Sequence, residues 1–173
     1  PEKRAWAKRL VPTYPSVVLY ALVRREAIPK DTQPVEMLVG NPESIDESEV
    51  TAYIFSIEDQ TLCDGDHHVI TAIGPSLGNW KGLTDDQYQE RKTLETERLL
   101  GVLEKRFPGL KNSVEYKELA TPRTIEYYLN KKDGSVAGPK QMLGQHMFKR
   151  LHTRSRWPNL YFSGESTIMG TGT

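Results

Sequence analysis

Apolar and polar positions alternate through the first half of the chain in short blocks. Ser16 to Arg24 (SVVLYALVR) is rich in β-branched and aromatic residues and predicts a strand. Val35 to Val39 predicts a second, ended by Gly40-Asn41-Pro42, and Thr51 to Ile57 a third. His67 to Ile73 predicts a fourth, entered through Asp64-Gly65 and left at Gly74-Pro75. Every gap between these blocks contains Pro or Gly and none carries a clear helical period. Antiparallel pairing therefore fits better than strand–helix–strand crossovers.

The period changes near residue 84. Thr84-Asp85-Asp86-Gln87 matches a capping box, with a hydroxyl at the cap and an amide three residues on. The helix it predicts runs through Tyr88, Leu94, Leu99, Leu100, Val102 and Leu103 and stops at Phe107-Pro108-Gly109. Glu90, Arg91, Lys92, Glu95, Glu97 and Arg98 line its wet side. Asn112 to Leu119 predicts a fifth strand. Thr121-Pro122 opens a short helix expected to turn Ile125, Tyr128 and Leu129 inward. From Lys131 to Arg156 the chain reads as a basic loop, and Asn159 to Ser163 as a short strand feeding a Gly/Ser/Thr turn. The expected fold class is α+β: an antiparallel sheet covered by at least one long helix.

Composition narrows the function classes. The chain has 173 residues, 37% hydrophobic and 27% charged, a length that suits one domain or a domain with part of another. Its 23 basic and 23 acidic side chains cancel, which removes the broad electrostatic case for nucleic acid or an anionic surface. No run approaches the roughly 20 apolar residues of a membrane helix. A single cysteine, Cys63, excludes an internal disulfide. The polar opening residues and the glycine-rich end at Met169–Thr173 suggest a segment of a longer chain.

Candidate chemistry is sparse. Cys63-Asp64-Gly65-Asp66-His67-His68 gathers metal-ligand atoms, but neighbouring strand residues point to opposite faces and no second cluster completes a site. No metal is expected. Cys63 as a nucleophile lacks any specific support, and Ser163-Gly164-Glu165-Ser166 is not a Gly-x-Ser-x-Gly elbow. The basic stretch Phe148 to Pro158 is expected to be a solvated connector, and Trp80 and Trp157 local core anchors. In the tail, Gly164, Glu165 and Gly170-x-Gly172 could bring backbone N–H groups to a phosphate while a carboxylate accepts from hydroxyls.

The order of these features resembles a known family. The tail NLYFSGESTIMGTGT is similar to the C-terminal flavin-binding motif of the phytoene desaturase, carotenoid isomerase and retinol saturase group of FAD oxidoreductases. Thr121-Pro122-Arg123-Thr124, Tyr127-Tyr128 and Asp133-Gly134-Ser135-Val136-Ala137-Gly138 resemble that group's upstream stretch. Gly65-Asp66-His67-His68, Trp80, the Tyr88 helix and Phe107-Pro108-Gly109 fall in the same order. The resemblance implies a substrate-binding domain over residues 1–158 and a return to a Rossmann-like FAD domain over 159–173. It implies bound FAD, an apolar polyene or isoprenoid substrate, and desaturation, saturation or isomerisation of C=C bonds by flavin hydride transfer.

Carried over by position, Gly164, Glu165, Ser166, Gly170, Thr171 and Gly172 are the cofactor-binding residues. Glu165 would reach the ribityl or phosphate portion. The family's Tyr before the last glycine of the upstream stretch is Ala137 here, and no Gly-x-Gly-x-x-Gly occurs in these residues. This polypeptide alone is therefore expected to bind FAD weakly or not at all. The remainder of the polypeptide is its implied partner, with a cytoplasmic or peripheral-membrane setting. No catalytic acid or base stands out. Two rivals stay open: a non-catalytic module binding an apolar ligand or protein, and an amine-oxidase-type flavoprotein.

Overall fold

The computed structural model describes residues 8–168, which divide into two units: residues 16–134, and residues 8–15 together with 135–168. In the first unit, strands β1 (Ser16–Arg24), β2 (Val35–Val39), β3 (Glu49–Tyr53), β4 (His67–Pro75) and β5 (Val114–Ala120) form one sheet in the order β2-β3-β4-β1-β5. Every neighbouring pair is antiparallel, as the Pro/Gly-broken gaps predict. Among the described residues two helices longer than a single turn accompany the sheet, α1 (Asp85–Arg106) and α2 (Pro122–Leu129), and the α+β class holds.

Alternation along β1 sends Val17, Leu19, Ala21 and Val23 to one face, where all four are buried. Leu19 lies opposite Ala72 on β4 and Leu119 on β5, and Ala72 opposite Ala52 on β3, so this face continues across the sheet. α1 covers it with Thr96, Leu99, Leu100 and Leu103, the i, i+3, i+4, i+7 stripe of an amphipathic helix, followed by Phe107. A Cβ on Gly74 would come within 3.2 Å of the Leu99 Cδ2, which marks how closely the helix approaches β4. Burying each of these Val, Leu and Phe side chains stabilises the unit by about 1.5–3 kcal/mol.

The predicted capping box closes α1: the Thr84 hydroxyl accepts from Gln87 N–H while the Gln87 side chain accepts from Thr84 N–H. Trp80 is buried as expected. Its indole N–H donates to Ser76 Oγ (2.9 Å), which donates in turn to Glu95 Oε1 (2.9 Å). Beside them Arg98 pairs with Glu95 at 2.7 Å and donates to the Pro75 carbonyl.

Several elements end elsewhere than the pattern predicts. The third strand stops at Tyr53 because Ile54 turns into the core and donates its N–H to the Pro34 carbonyl, after which Phe55–Ile57 forms a 3-10 turn. Leu94 is exposed, since a position two residues before Thr96 lies on the opposite side of the helix. In α2 only Pro122 and Ile125 are buried; Tyr128 (76% exposed) and Leu129 face solvent. This eight-residue helix docks through its first turn, and Asn130 in the left-handed conformation ends it.

The second unit has little regular structure, and among the described residues the hydrophobic core draws only on residues 17–119. Polar side chains hold it instead. The buried Gln145 accepts from Val11 N–H (3.0 Å) and donates to the Val11 and Lys140 carbonyls. Ser135 Oγ donates to the Thr13 carbonyl (2.8 Å). In place of a strand at Asn159–Ser163, the structure has a single bridge between Arg154 and Tyr161, because one short hairpin offers no sheet to extend. Trp157 is exposed at the tip of that hairpin and anchors no core.

Candidate functional site

Two features bear on function, one in each unit. In residues 16–134 the sheet is covered on one face only. Cross-strand register lines up Val35, Tyr53, Thr71, Tyr20 and Glu118 in one row on the opposite face. Met37, Thr51, Ile73, Val18 and Ala120 form the next. Each row spans the five strands, about 19 Å at ordinary strand spacing. None of these side chains is fully buried, and Met37 is 69% exposed. Apart from Glu118 on the edge strand, whose carboxylate pairs with Lys92, the face is apolar and aromatic with threonines between, a surface suited to a long ligand with few polar atoms.

The Cys63–His68 segment sits at the entry to β4. Chain neighbours diverge there as the strand geometry requires. His67 Nδ1 lies 2.6 Å from Asp64 Oδ1 and its Nε2 2.9 Å from Glu115 Oε2. The hydrogen bond to Asp64 and the Glu115 carboxylate raise the His67 pKa above its usual value, and His67 in return lowers that of Asp64. The buried His68 takes the opposite course: its Nδ1 meets Ser56 Oγ at 2.9 Å, and burial followed by the Arg25 charge lowers its pKa. Arg24, Arg25, Glu26 and Asp66 join His67 and Glu115 around an open concavity. That concavity is too charged for a polyene. Among the described residues, no group of three or more His, Cys, Asp or Glu is placed to hold a metal ion.

The second feature joins two turns of the other unit. Gly164 adopts φ +134°, and a Cβ built there would meet nothing within 4 Å among the described residues, so a ligand could approach its backbone. Glu165 follows, its Oε2 accepting from Ala137 N–H at 3.0 Å. Ser166 accepts from Leu151 N–H through its carbonyl (3.2 Å), and Thr167 returns N–H and hydroxyl bonds to the Gly164 carbonyl. Opposite them, Ala137 (φ +70°) and Gly138 (φ +65°) form a left-handed pair; a Cβ on Gly138 would lie 2.8 Å from the Glu165 carbonyl oxygen. The structure thus brings Gly164, Glu165 and Ser166 together against the upstream glycine-rich stretch. Gly170, Thr171 and Gly172 lie outside the described residues.

The sequence pattern did not single out Arg150. Within the expected solvated connector it is buried, donating through its two terminal nitrogens to the carbonyls of Glu165 and Pro139. Its Nε is buried without a hydrogen-bond partner among the described residues. Nothing in the run of cations from Lys149 to Arg156 marks which one turns inward.

The chain matches curated proteins over part of their length. The chain is 30% identical over 162 residues to a chloroplastic prolycopene isomerase of Arabidopsis thaliana, covering 87% of this chain and 26% of that protein. It is 30% identical over 119 residues to prolycopene isomerase 2 of an Oncidium hybrid cultivar, covering 68% of this chain and 20% of that protein. It is 28% identical over 111 residues to an all-trans-retinol 13,14-reductase of Rattus norvegicus, covering 58% of this chain and 18% of that protein. No protein-family model matches the chain. The chain spans about a quarter or less of the length of the curated relatives it matches.

Proposed function

The chain is homologous, at modest identity and over part of its relatives' length, to the carotenoid isomerase and retinol saturase family; on that footing we propose that it is the sheet-bearing part of an FAD-dependent enzyme that isomerises, saturates or desaturates C=C bonds in a polyene or isoprenoid lipid. The observation that carries this reading is the one-sided sheet. α1 seals one face with aliphatic side chains, and the other presents two cross-strand rows dominated by Val, Met, Ile and Tyr. Such a surface gains by covering an apolar chain and offers it almost no competing charge.

The turn at Gly164–Ser166 is the part that would hold the cofactor, and its chemistry fits. Gly164 leaves its backbone open to approach, and Glu165 is a hydrogen-bond acceptor beside it. A carboxylate accepts from hydroxyl groups and is repelled by an ionised phosphate, so Glu165 suits the ribityl hydroxyls better than the pyrophosphate. Bound FAD would supply hydride acceptance and return at the double bond. The residues of this chain bind and orient: the sheet face excludes water from the polyene, and the turn fixes the cofactor's position through backbone and carboxylate contacts.

The test uses the full-length gene product. Absorbance bands near about 370 and 450 nm that copurify with it, and conversion of a poly-cis carotene or all-trans-retinol to an isomer or a saturated product, are the expected result. A full-length protein without flavin would overturn the proposal. A flavoprotein that oxidises amines and ignores polyenes would replace the substrate class.

A further inference from the structure

We propose that Arg150 is a positioning residue: it locks the turn at 137–139 to the turn at 164–166 and so sets the geometry of the segment assigned to the cofactor. The inference deepens the FAD reading above and rests on it for its functional consequence.

Three observations carry it. First, Arg150 is 4% exposed and its terminal nitrogens reach one carbonyl in each turn, Pro139 on one side and Glu165 on the other. A guanidinium presents donors in a fixed planar fork, so two carbonyls held by it are held at one separation and one angle. Second, a direct contact between the same turns complements the fork. The Glu165 carboxylate accepts from Ala137 N–H, and Gly138 has no Cβ because one would strike the Glu165 carbonyl. The backbone carbonyl of Glu165 is therefore fixed by Arg150 while its carboxylate is fixed from Ala137. Third, no Asp or Glu occurs from 134 to 164, and no carboxylate among the described residues pairs with Arg150. A cation kept buried on neutral acceptors, with Nε left unpaired, is costly. The arrangement makes sense where the fork's geometry is what matters.

Lysine preserves the charge and loses the fork. In the full-length flavoprotein, Arg150→Lys is expected to weaken FAD binding by about tenfold or more, read by flavin fluorescence titration. Free guanidinium is expected to restore part of the affinity in Arg150→Ala. A core variant of the sheet unit, Leu103→Ala, serves as the comparison: it lowers thermal stability but should leave the FAD Kd unchanged. A second readout needs no cofactor. Amide exchange at Ala137, Gly138 and 164–168 should accelerate in Arg150→Lys while that of β1, β4 and β5 stays as in the parent.

Unchanged exchange in both turns would overturn the inference whatever the cofactor. So would FAD binding that is unaltered in Arg150→Lys, or reduced equally in Leu103→Ala. Accelerated exchange in a full-length protein that binds no FAD would leave the clamp standing as structure and overturn its role at a cofactor, together with the FAD reading.

Discussion

The ring of His67 is held between two carboxylates, Asp64 and Glu115, while the ring of His68, the next residue, is buried against Ser56. One peptide bond separates a histidine whose pKa is raised from one whose pKa is lowered. The pleat of β4 is the cause, since it sends successive side chains to opposite faces.

These two histidines should titrate on either side of the usual value of about 6.5. The ion pairs of His67 contribute stability that is fully present below about pH 6.5 and is lost as pH rises through its raised pKa. His68 works the other way. Its neutral, buried ring is no burden above about pH 6.5, and stability falls as pH drops from there towards its lowered pKa, because the unfolded chain binds the proton more readily. NMR titration of the two imidazoles checks the order. His68→Gln should flatten the acid-side loss, and Glu115→Gln should lower the pKa of His67.

Glu36 sits on the helix-covered face of the edge strand β2 and pairs with Arg106 at the end of α1, 3.0 Å away. The hydrogen bond from Arg106 lowers the pKa of Glu36. Its contribution is present above the unfolded value of about 4.3 and is lost as pH falls through the depressed one. Glu36→Gln should cost about 1 kcal/mol in urea denaturation at pH 7, with the difference from the parent vanishing in acid.

Two glycines should respond oppositely to alanine. Gly134 has φ +70°, and a Cβ there would lie 2.3 Å from the Cα of Pro122, backbone that cannot move without shifting α2. Gly134→Ala should destabilise the unit by about 2 kcal/mol or more. Gly101 lies inside α1 with nothing within 4 Å of its would-be Cβ, so Gly101→Ala should stabilise by about 0.5–1 kcal/mol. Thermal melts of the two variants should move in opposite directions.

Met37 projects from the uncovered face of β2 and touches no core. Met37→Glu should leave stability within about 0.5 kcal/mol of the parent. In the full-length protein it should weaken polyene binding by about tenfold, because the charge must be desolvated beneath an apolar chain. Melting curves and polyene fluorescence quenching, taken together, check both halves.

Local chemistry was enough to read most of the sheet unit. The strand at Ser16–Arg24, the capped helix from Asp85 and its stop at Phe107-Pro108-Gly109 appear where period, caps and breakers put them, since each depends on residues within a few positions of one another. Gly164, Glu165 and Ser166 were legible as a turn for the same reason. Tertiary packing decided the rest. Period alone placed Tyr128 and Leu129 on the inward side of α2, and only the docking of its first turn left them in water. Among the cations between Lys149 and Arg156, burial selected Arg150 because two carbonyls 11 residues before it and 15 after it converge there. No local pattern encodes that convergence. It exists only once the turns at 137–139 and 164–166 have met, and with it comes the geometry on which the proposed cofactor site depends.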